Sequence, residues 1–217
     1  EDFVTDFLTT TTHSELLFFT DKGKAFQIKM YDIPEGKRAT RGKSIMNFLS
    51  ISDGEKVTSI LPMPKKVKES KLSLMLTTRD GTAKKVSAAS FHDVRRSGII
   101  AIRLDDGDQL VSAAFVEKGD DVIAVSSDGQ SIRFKEDDVR EMGRGAGGVR
   151  VMKLDKGARV VGVDVIKKEN ANAFLMVMTA NGYGKQTELG EYKTQGRGGS
   201  GIITVKVTAK TGELIAS

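Results

Sequence analysis

The sequence predicts an all-β fold of four repeated units, each of about four strands, set around a common axis. Three observations carry this. Short apolar segments alternate with turn residues and show almost no helical periodicity. A turn ending in glycine recurs at Asp21-Lys22-Gly23, Arg79-Asp80-Gly81, Ser127-Asp128-Gly129 and Ala180-Asn181-Gly182. These glycines are spaced by 58, 48 and 53 residues, a period that belongs to radial arrays of small sheets.

The units align over several columns. A hydroxyl stands three residues before each glycine (Thr20, Thr78, Ser126, Thr179) and an apolar side chain six before it (Leu17, Met75, Ile123, Met176). Ten residues after the glycine comes another apolar position (Ile33, Phe91, Val139, Tyr192), expected in the strand that follows the turn. A second turn closes each unit at Gly54, Gly107, Gly157 and Gly212, with Val57, Leu110, Val160 and Ile215 three residues beyond. We therefore place the units at about 14–61, 72–116, 121–166 and 173–217 of a single domain.

Taken in order, Phe3, Val4, Phe7 and Leu8 have helix-like spacing, but Thr9 to Thr12 favour extended backbone, so a strand or short turn is expected there. Leu16–Thr20 and Ala25–Met30 form the first hairpin, and Pro34, lacking a donor, ends its second strand. The loop Glu35–Ser44 leads to a strand carrying Ile45, Phe48 and Leu49, then to a closing strand with Val57, Ile60 and Leu61. Pro62 and Pro64 with Lys65, Lys66 and Lys68 mark a surface connection. In the third unit Val122–Val125 pairs through its turn with a strand holding Ile132 and Phe134. A glycine-rich loop, Arg144 to Gly148, then gives way to alternating Val149, Val151 and Leu154. The fourth unit runs from Phe174 through the loop Thr194–Gly201 to a last strand, Leu214–Ala216, at the chain's end; a fragment of something longer is expected.

With 39% hydrophobic residues the chain can bury a substantial core. No apolar run approaches the ~20 residues of a spanning helix and no signal peptide is evident, so a cytoplasmic setting is expected. The lack of cysteine excludes disulfides and thiolate zinc sites. His13 and His92 have no recurrent carboxylate partner and no HExxH spacing, and the Asp-Gly turns lack the EF-hand pattern. The glycine-rich loops lead into strands, whereas a nucleotide phosphate loop leads into a helix. No catalytic residue, metal or cofactor is expected.

The cations are patterned. Lys and Arg number 34 against 29 Asp and Glu, a net charge of +5, and each unit places some of them in the loop between its halves. These are Lys37, Arg38, Arg41 and Lys43; Arg95 and Arg96; Arg144 and Arg150; Lys193 and Arg197. Lys84, Lys85, Arg133, Lys135 and Lys185, in the strands after the first turns, complete the candidate set. Rotationally related loops lie on one track, so four basic loops become one basic stripe, suited to a polyanion that bends. Glycines beside the arginines would let a phosphate approach the backbone closely. No aromatic platform recurs in the loops, which favours double-stranded DNA over stacked single strands. The rival readings are a propeller that binds a protein partner, with cations serving solubility, and a propeller enzyme; the latter needs convergent titratable groups, and none recur in register.

At these loops the sequence resembles the C-terminal domain of the DNA gyrase A-type chains and the matching domain of topoisomerase IV. The stretches that carry the resemblance are GKAFQIKMYDIPEGKRATRGKSIMNFLSI, DGTAKKV, DGQSIRFKEDDVREMGRGAGGVR and NGYGKQTELGEYKTQGRGGSGIITVKVT, covering essentially the whole chain. The resemblance implies a β-pinwheel of six blades, four of them present, whose blades exchange strands and whose basic rim wraps DNA to support ATP-dependent negative supercoiling. It also implies partners: the rest of the gyrase A polypeptide and the ATPase-bearing gyrase B in an A2B2 enzyme at the nucleoid, with the catalytic tyrosine and ATPase outside this chain. The family's hallmark box reads Gln, basic, Arg, Gly, Gly, basic, Gly. Here QGRGGSG, Gln195 to Gly201, lacks both flanking cations, and the box itself is expected upstream of Glu1.

Overall fold

The computed structural model describes residues 4–37, 39–170 and 172–217. The first unit supplies strands β1 (Glu15–Thr20), β2 (Lys24–Lys29) and β3 (Val57–Pro62). The second supplies β4 (Ser73–Thr78), β5 (Thr82–Ser87), β6 (Ile99–Ile100) and β7 (Leu110–Val116). The third supplies β8 (Asp121–Ser126), β9 (Gln130–Lys135), β10 (Val149–Arg150) and β11 (Val160–Ile166). The fourth supplies β12 (Phe174–Thr179), β13 (Gly184–Glu188), β14 (Ile202–Ile203) and β15 (Leu214–Ala216). Single 3-10 turns are the only helical segments among the described residues.

Units and sheets do not coincide. In each unit the first turn folds two strands into an antiparallel hairpin, and the unit's last strand pairs on the inner side. The short strand in between crosses to the preceding sheet: β6 pairs with β2, β10 with β5 and β14 with β9. The sheets are therefore β3-β1-β2-β6, β7-β4-β5-β10, β11-β8-β9-β14 and β15-β12-β13. Three have the expected four strands, the fourth supplied by the following unit; the last has three.

Glycine fixes both ends of this exchange. Gly81 sits at φ +83°, and its carbonyl accepts from Val151 and Met152 of the next unit. A Cβ there would lie 2.6 Å from the Met152 carbonyl oxygen, so the crossing chain packs directly on bare backbone. Gly23 meets Ile102 and Gly129 meets Val205 in the same way. At the other end Gly148, φ +99°, precedes β10 and would place a Cβ 2.5 Å from the Ala83 carbonyl oxygen. The turn hydroxyls are buried; those of Thr78 and Thr179 accept from the backbone N–H of Thr82 and Tyr183, holding the turn closed.

The core lies between sheets. Alternation along β1 sends Leu17 and Phe19 against Leu74, Leu76 and Phe91 of the second unit, while Leu16 and Phe18 pack with Phe26, Ile28 and Leu49 on the opposite face. Met75 joins Val122, Ile132 and Phe134; Ile123 joins Leu175, Leu189 and Tyr192. Burying a side chain such as Phe19 or Phe91 contributes about 1.5–3 kcal/mol, and these two rings meet edge to face at 5.7 Å. The strands β3, β7, β11 and β15 pack in succession, which puts them on the axial side and β6, β10 and β14 at the periphery.

Three expectations are corrected. Ile45–Asn47 is a 3-10 turn and not a strand. Left-handed Gly98, Gly148 and Gly201 stand immediately before β6, β10 and β14, whereas Ser44, at φ -61°, stands before Ile45. Val4 to Thr10 carry no regular secondary structure, and of the two expected forms it is the short turn that leads into β1, closed by the Ser14 N–H on the Thr11 carbonyl at 2.9 Å. The column Phe91, Val139 and Tyr192 is buried, but in or just after 3-10 turns, since the chain must leave its own sheet there; β2 likewise ends at Lys29, before Pro34.

Candidate nucleic-acid interface

Strand exchange carries the basic loops outward. Arg95 and Arg96 precede β6, Arg144 precedes β10, and Lys193 and Arg197 precede β14, each the outermost strand of a successive sheet. All five are exposed, as are Arg150, Lys135, Lys37, Arg41 and Lys43. Arg38 lies outside the described residues.

Neighbouring loops are joined backbone to backbone. The Arg103 N–H donates to the Ala146 carbonyl at 3.3 Å, and the Lys153 N–H to that of Gly199 at 2.8 Å. Gly198 N–H donates to the Val151 carbonyl at 2.7 Å. Arg197 itself donates from Nε to the Asp138 carbonyl at 2.8 Å and from Nη1 to that of Arg150 at 3.0 Å. Asn47 and Phe48, just past the first loop, share a cavity with Arg96. The second, third and fourth loops thus follow one another along a single edge.

Besides Arg197, four predicted contacts are engaged within the protein. Lys84 is fully buried, donating to the carbonyls of Gly143, Arg144 and Ala146, the basic loop of the next unit. Burial, with the charge of Arg144 adding to it, pushes its ammonium down to about 8. Lys85, also buried, pairs with Glu136, the first residue of the next unit's 3-10 turn, and with Asp137. Arg133 pairs with Asp121 at 2.8 Å and donates to the Leu189 carbonyl at 2.9 Å. Lys185 remains exposed but donates to the Thr204 carbonyl at 2.8 Å. These cations hold loops in place.

The sequence reading missed the column behind this. Four residues past the first-turn glycine stand Gln27, Lys85 and Arg133. Gln27 accepts from the Val94 N–H at 2.8 Å, so each of the three ties its sheet to the next unit's crossing loop. A long polar side chain recurring at one strand position was the available signal. The expected role of the glycines also divides. Gly148 and Gly201 are pressed against strands, whereas a Cβ on Gly143 or Gly145 would meet nothing within 4 Å, leaving the backbone beside Arg144 open to a ligand.

Sheets that trade strands around an axis, with joined basic loops along the outer edge, define a β-propeller-like scaffold with a basic rim. The family model described as "DNA gyrase C-terminal domain, beta-propeller" matches residues 14–62, 72–117, 120–167 and 173–217, and the chain belongs to that family. The DNA gyrase A protein of Salmonella typhimurium is 38% identical over 217 residues, all of this chain and 24% of that protein. Its counterpart in Lawsonia intracellularis is 39% identical over 217 residues, covering 26% of its length. The chain thus spans about a quarter of the curated relatives it matches. A solved gyrase A C-terminal domain superposes with a TM-score of 0.78 at 30% identity, over 94% of this chain and 65% of that one. The C-terminal domain of a DNA topoisomerase IV gives 0.83 at 24% identity, over 94% and 62%, and speaks for the fold alone.

Proposed function

We propose that this chain binds duplex DNA along its rim and bends it, as the non-catalytic wrapping part of a gyrase A protein. The carrying observation is that Arg96, Arg144 and Arg197 each lead into the outermost strand of successive sheets, in loops joined to one another. Phosphates met at regular intervals along a curved edge neutralise charge and repay the cost of bending. The reading extends to the whole enzyme as the relatives suggest it: the remainder of gyrase A and a gyrase B chain as partners, cleavage and ATP hydrolysis carried elsewhere, and action at the nucleoid. No helix among the described residues is long and apolar enough to cross a membrane.

A protein-contact reading has one observation behind it. Met176 is 56% exposed, whereas the equivalent Leu17, Met75 and Ile123 are buried against the following sheet. Phe174 lies exposed beside it. Because the same column is covered by a neighbouring blade three times over, we read this face as the seat of a further blade.

Duplex affinity measured against salt tests the proposal. About six phosphate contacts give a log-log slope near -5, and ligation of nicked circles in the presence of the protein should shift their linking number. A flat salt response would refute binding at the rim; a steep one with no linking change would leave binding and remove wrapping.

A further inference from the structure

The chain's only two histidines line one cleft that the rim does not use. His13, just before β1, and His92, just after the 3-10 turn Ala88–Phe91, face a cavity of about 450 Å³ together with the connection between the first two sheets. This volume falls in the range of small-ligand clefts, about 300–1,000 Å³. The connection is not loose. Met63 and Val67 are buried in the core between the two sheets, and Val67–Glu69 forms a 3-10 turn, so Lys65 and Lys68 project from an anchored segment.

The cleft is rich in donors. Its lysines number four and its carboxylates two. Lys29 is paired with Glu15, and Lys66 with Glu69 at 3.6 Å. Lys65 and Lys68 have no carboxylate partner among the described residues. His92 Nδ1 lies 2.8 Å from the Ala89 carbonyl oxygen. A carbonyl only accepts, so Nδ1 carries the hydrogen and Nε2 is the nitrogen left for a ligand. No group of three or more His, Cys, Asp or Glu comes together among the described residues, so a metal does not fit. Ammonium groups and imidazoles in excess over carboxylates suit oxyanions carried close together on one ligand.

The cleft also connects with the rim. A neighbouring cavity of about 300 Å³ shares Glu15, Lys29 and His92 with it and extends to Arg96, with Asp32 and Asp93 also on its wall. One crossing loop therefore carries His92 at the cleft and Arg96 at the periphery.

We propose that this cleft is a second anion site, which holds the oxyanions of a phosphate chain against Lys65, Lys68, His13 and His92. The phosphates come either from DNA backbone that leaves the rim at Arg96 or from a soluble oligophosphate. The first source rests on the rim reading; the second stands without it.

The two imidazoles provide the readout, since the whole chain gives only two histidine Hε1 signals by NMR. Inorganic tripolyphosphate and a linear duplex are titrated separately at constant ionic strength. Tripolyphosphate should move both signals saturably, and Lys65→Ala with Lys68→Ala should weaken it by about tenfold, or 1.4 kcal/mol. The rim pair Arg95→Ala with Arg144→Ala should leave that affinity unchanged. Lys68→Glu alone is a second variant, expected to weaken binding further, should the double variant unfold. Duplex that moves the signals in the parent but not in the rim variant identifies DNA as the source; tripolyphosphate acting alone identifies a soluble one. Signals that neither ligand moves, or a double variant that binds tripolyphosphate as tightly as the parent, would overturn the site. Failure of the rim reading shows separately, as duplex affinity unaltered in the rim variant.

Discussion

The ammonium of Lys84 lies 3.2 Å from the carbonyl oxygen of Gly143, in the loop of the following unit, with its stem fully enclosed by the second sheet. It also donates to Arg144 and to Ala146 in the same loop. One buried cation thereby turns three carbonyls inward and sets the position from which Arg144 projects.

Replacing Lys84 with Met should release that loop. Loss of the donors costs about 1–3 kcal/mol, and amide exchange in Gly143–Gly148 should accelerate while distant strands keep their protection. The pH dependence has a definite sign. The native ammonium is held at about 8 by burial and by Arg144, against an ordinary 10.5. Between those values the unfolded chain keeps a proton that the native chain has released, so this group makes stability rise with pH across the window. Denaturation curves at several pH values should show that rise in the parent and lose it in Lys84→Met; an identical slope in both would remove the assignment.

Arg133 and Arg144 should separate cleanly by experiment. Arg133, partly buried, spans Asp121 and the Leu189 and Tyr192 carbonyls, so Arg133→Ala should cost about 1.5–3 kcal/mol, as for hydrogen bonds to a charged group. Arg144→Ala, fully on the surface, should change stability by less than about 0.5 kcal/mol yet lower the salt slope of DNA binding by about one unit. Thermal unfolding and a salt titration of both variants decide it.

That pair also shows what could be read from the chain beforehand. Turn glycines, alternating strands and the positions of the basic loops follow from local chemistry, and Gly23, Gly81 and Gly129 announced the repeat. Strand exchange did not follow from local chemistry, because β6, β10 and β14 are only two residues long and find their partners in another unit. The roles of Lys84, Lys85 and Arg133 depend on what crosses above them, and in sequence they look like the exposed arginines. Ser44 was the local hint: a serine standing where the other three units have a left-handed glycine.

Glu55 should link stability to acid. Its side chain is fully buried, accepting from the Thr20 hydroxyl at 2.5 Å and the Ser52 N–H at 3.0 Å. Burial alone would raise its carboxyl, but those bonds and the nearby Lys24 bring it below the ordinary carboxylate value. A depressed carboxylate stabilises above its unfolded pKa, and the contribution is lost as pH falls through the native value. Thr20→Val should cost about 1–3 kcal/mol at neutral pH. The deficit should shrink on acidification, measured as the difference in denaturation midpoint between parent and variant.

Gly81 and Gly182 test whether strand exchange or the turn itself demands glycine. Both sit at φ +83°. An added methyl at either meets the left-handed penalty, about 1–2 kcal/mol. At Gly81 the new carbon would also lie 2.6 Å from the Met152 carbonyl oxygen, while at Gly182 nothing lies within 4 Å. Overpacking adds about 1–3 kcal/mol where the neighbour is backbone that cannot yield. Gly81→Ala should therefore be the more damaging by that margin, and it should expose the Val149–Met152 amides to exchange, whereas Gly182→Ala leaves them protected. Equal losses in the two variants would mean that the turn, and not the crossing chain, sets the requirement.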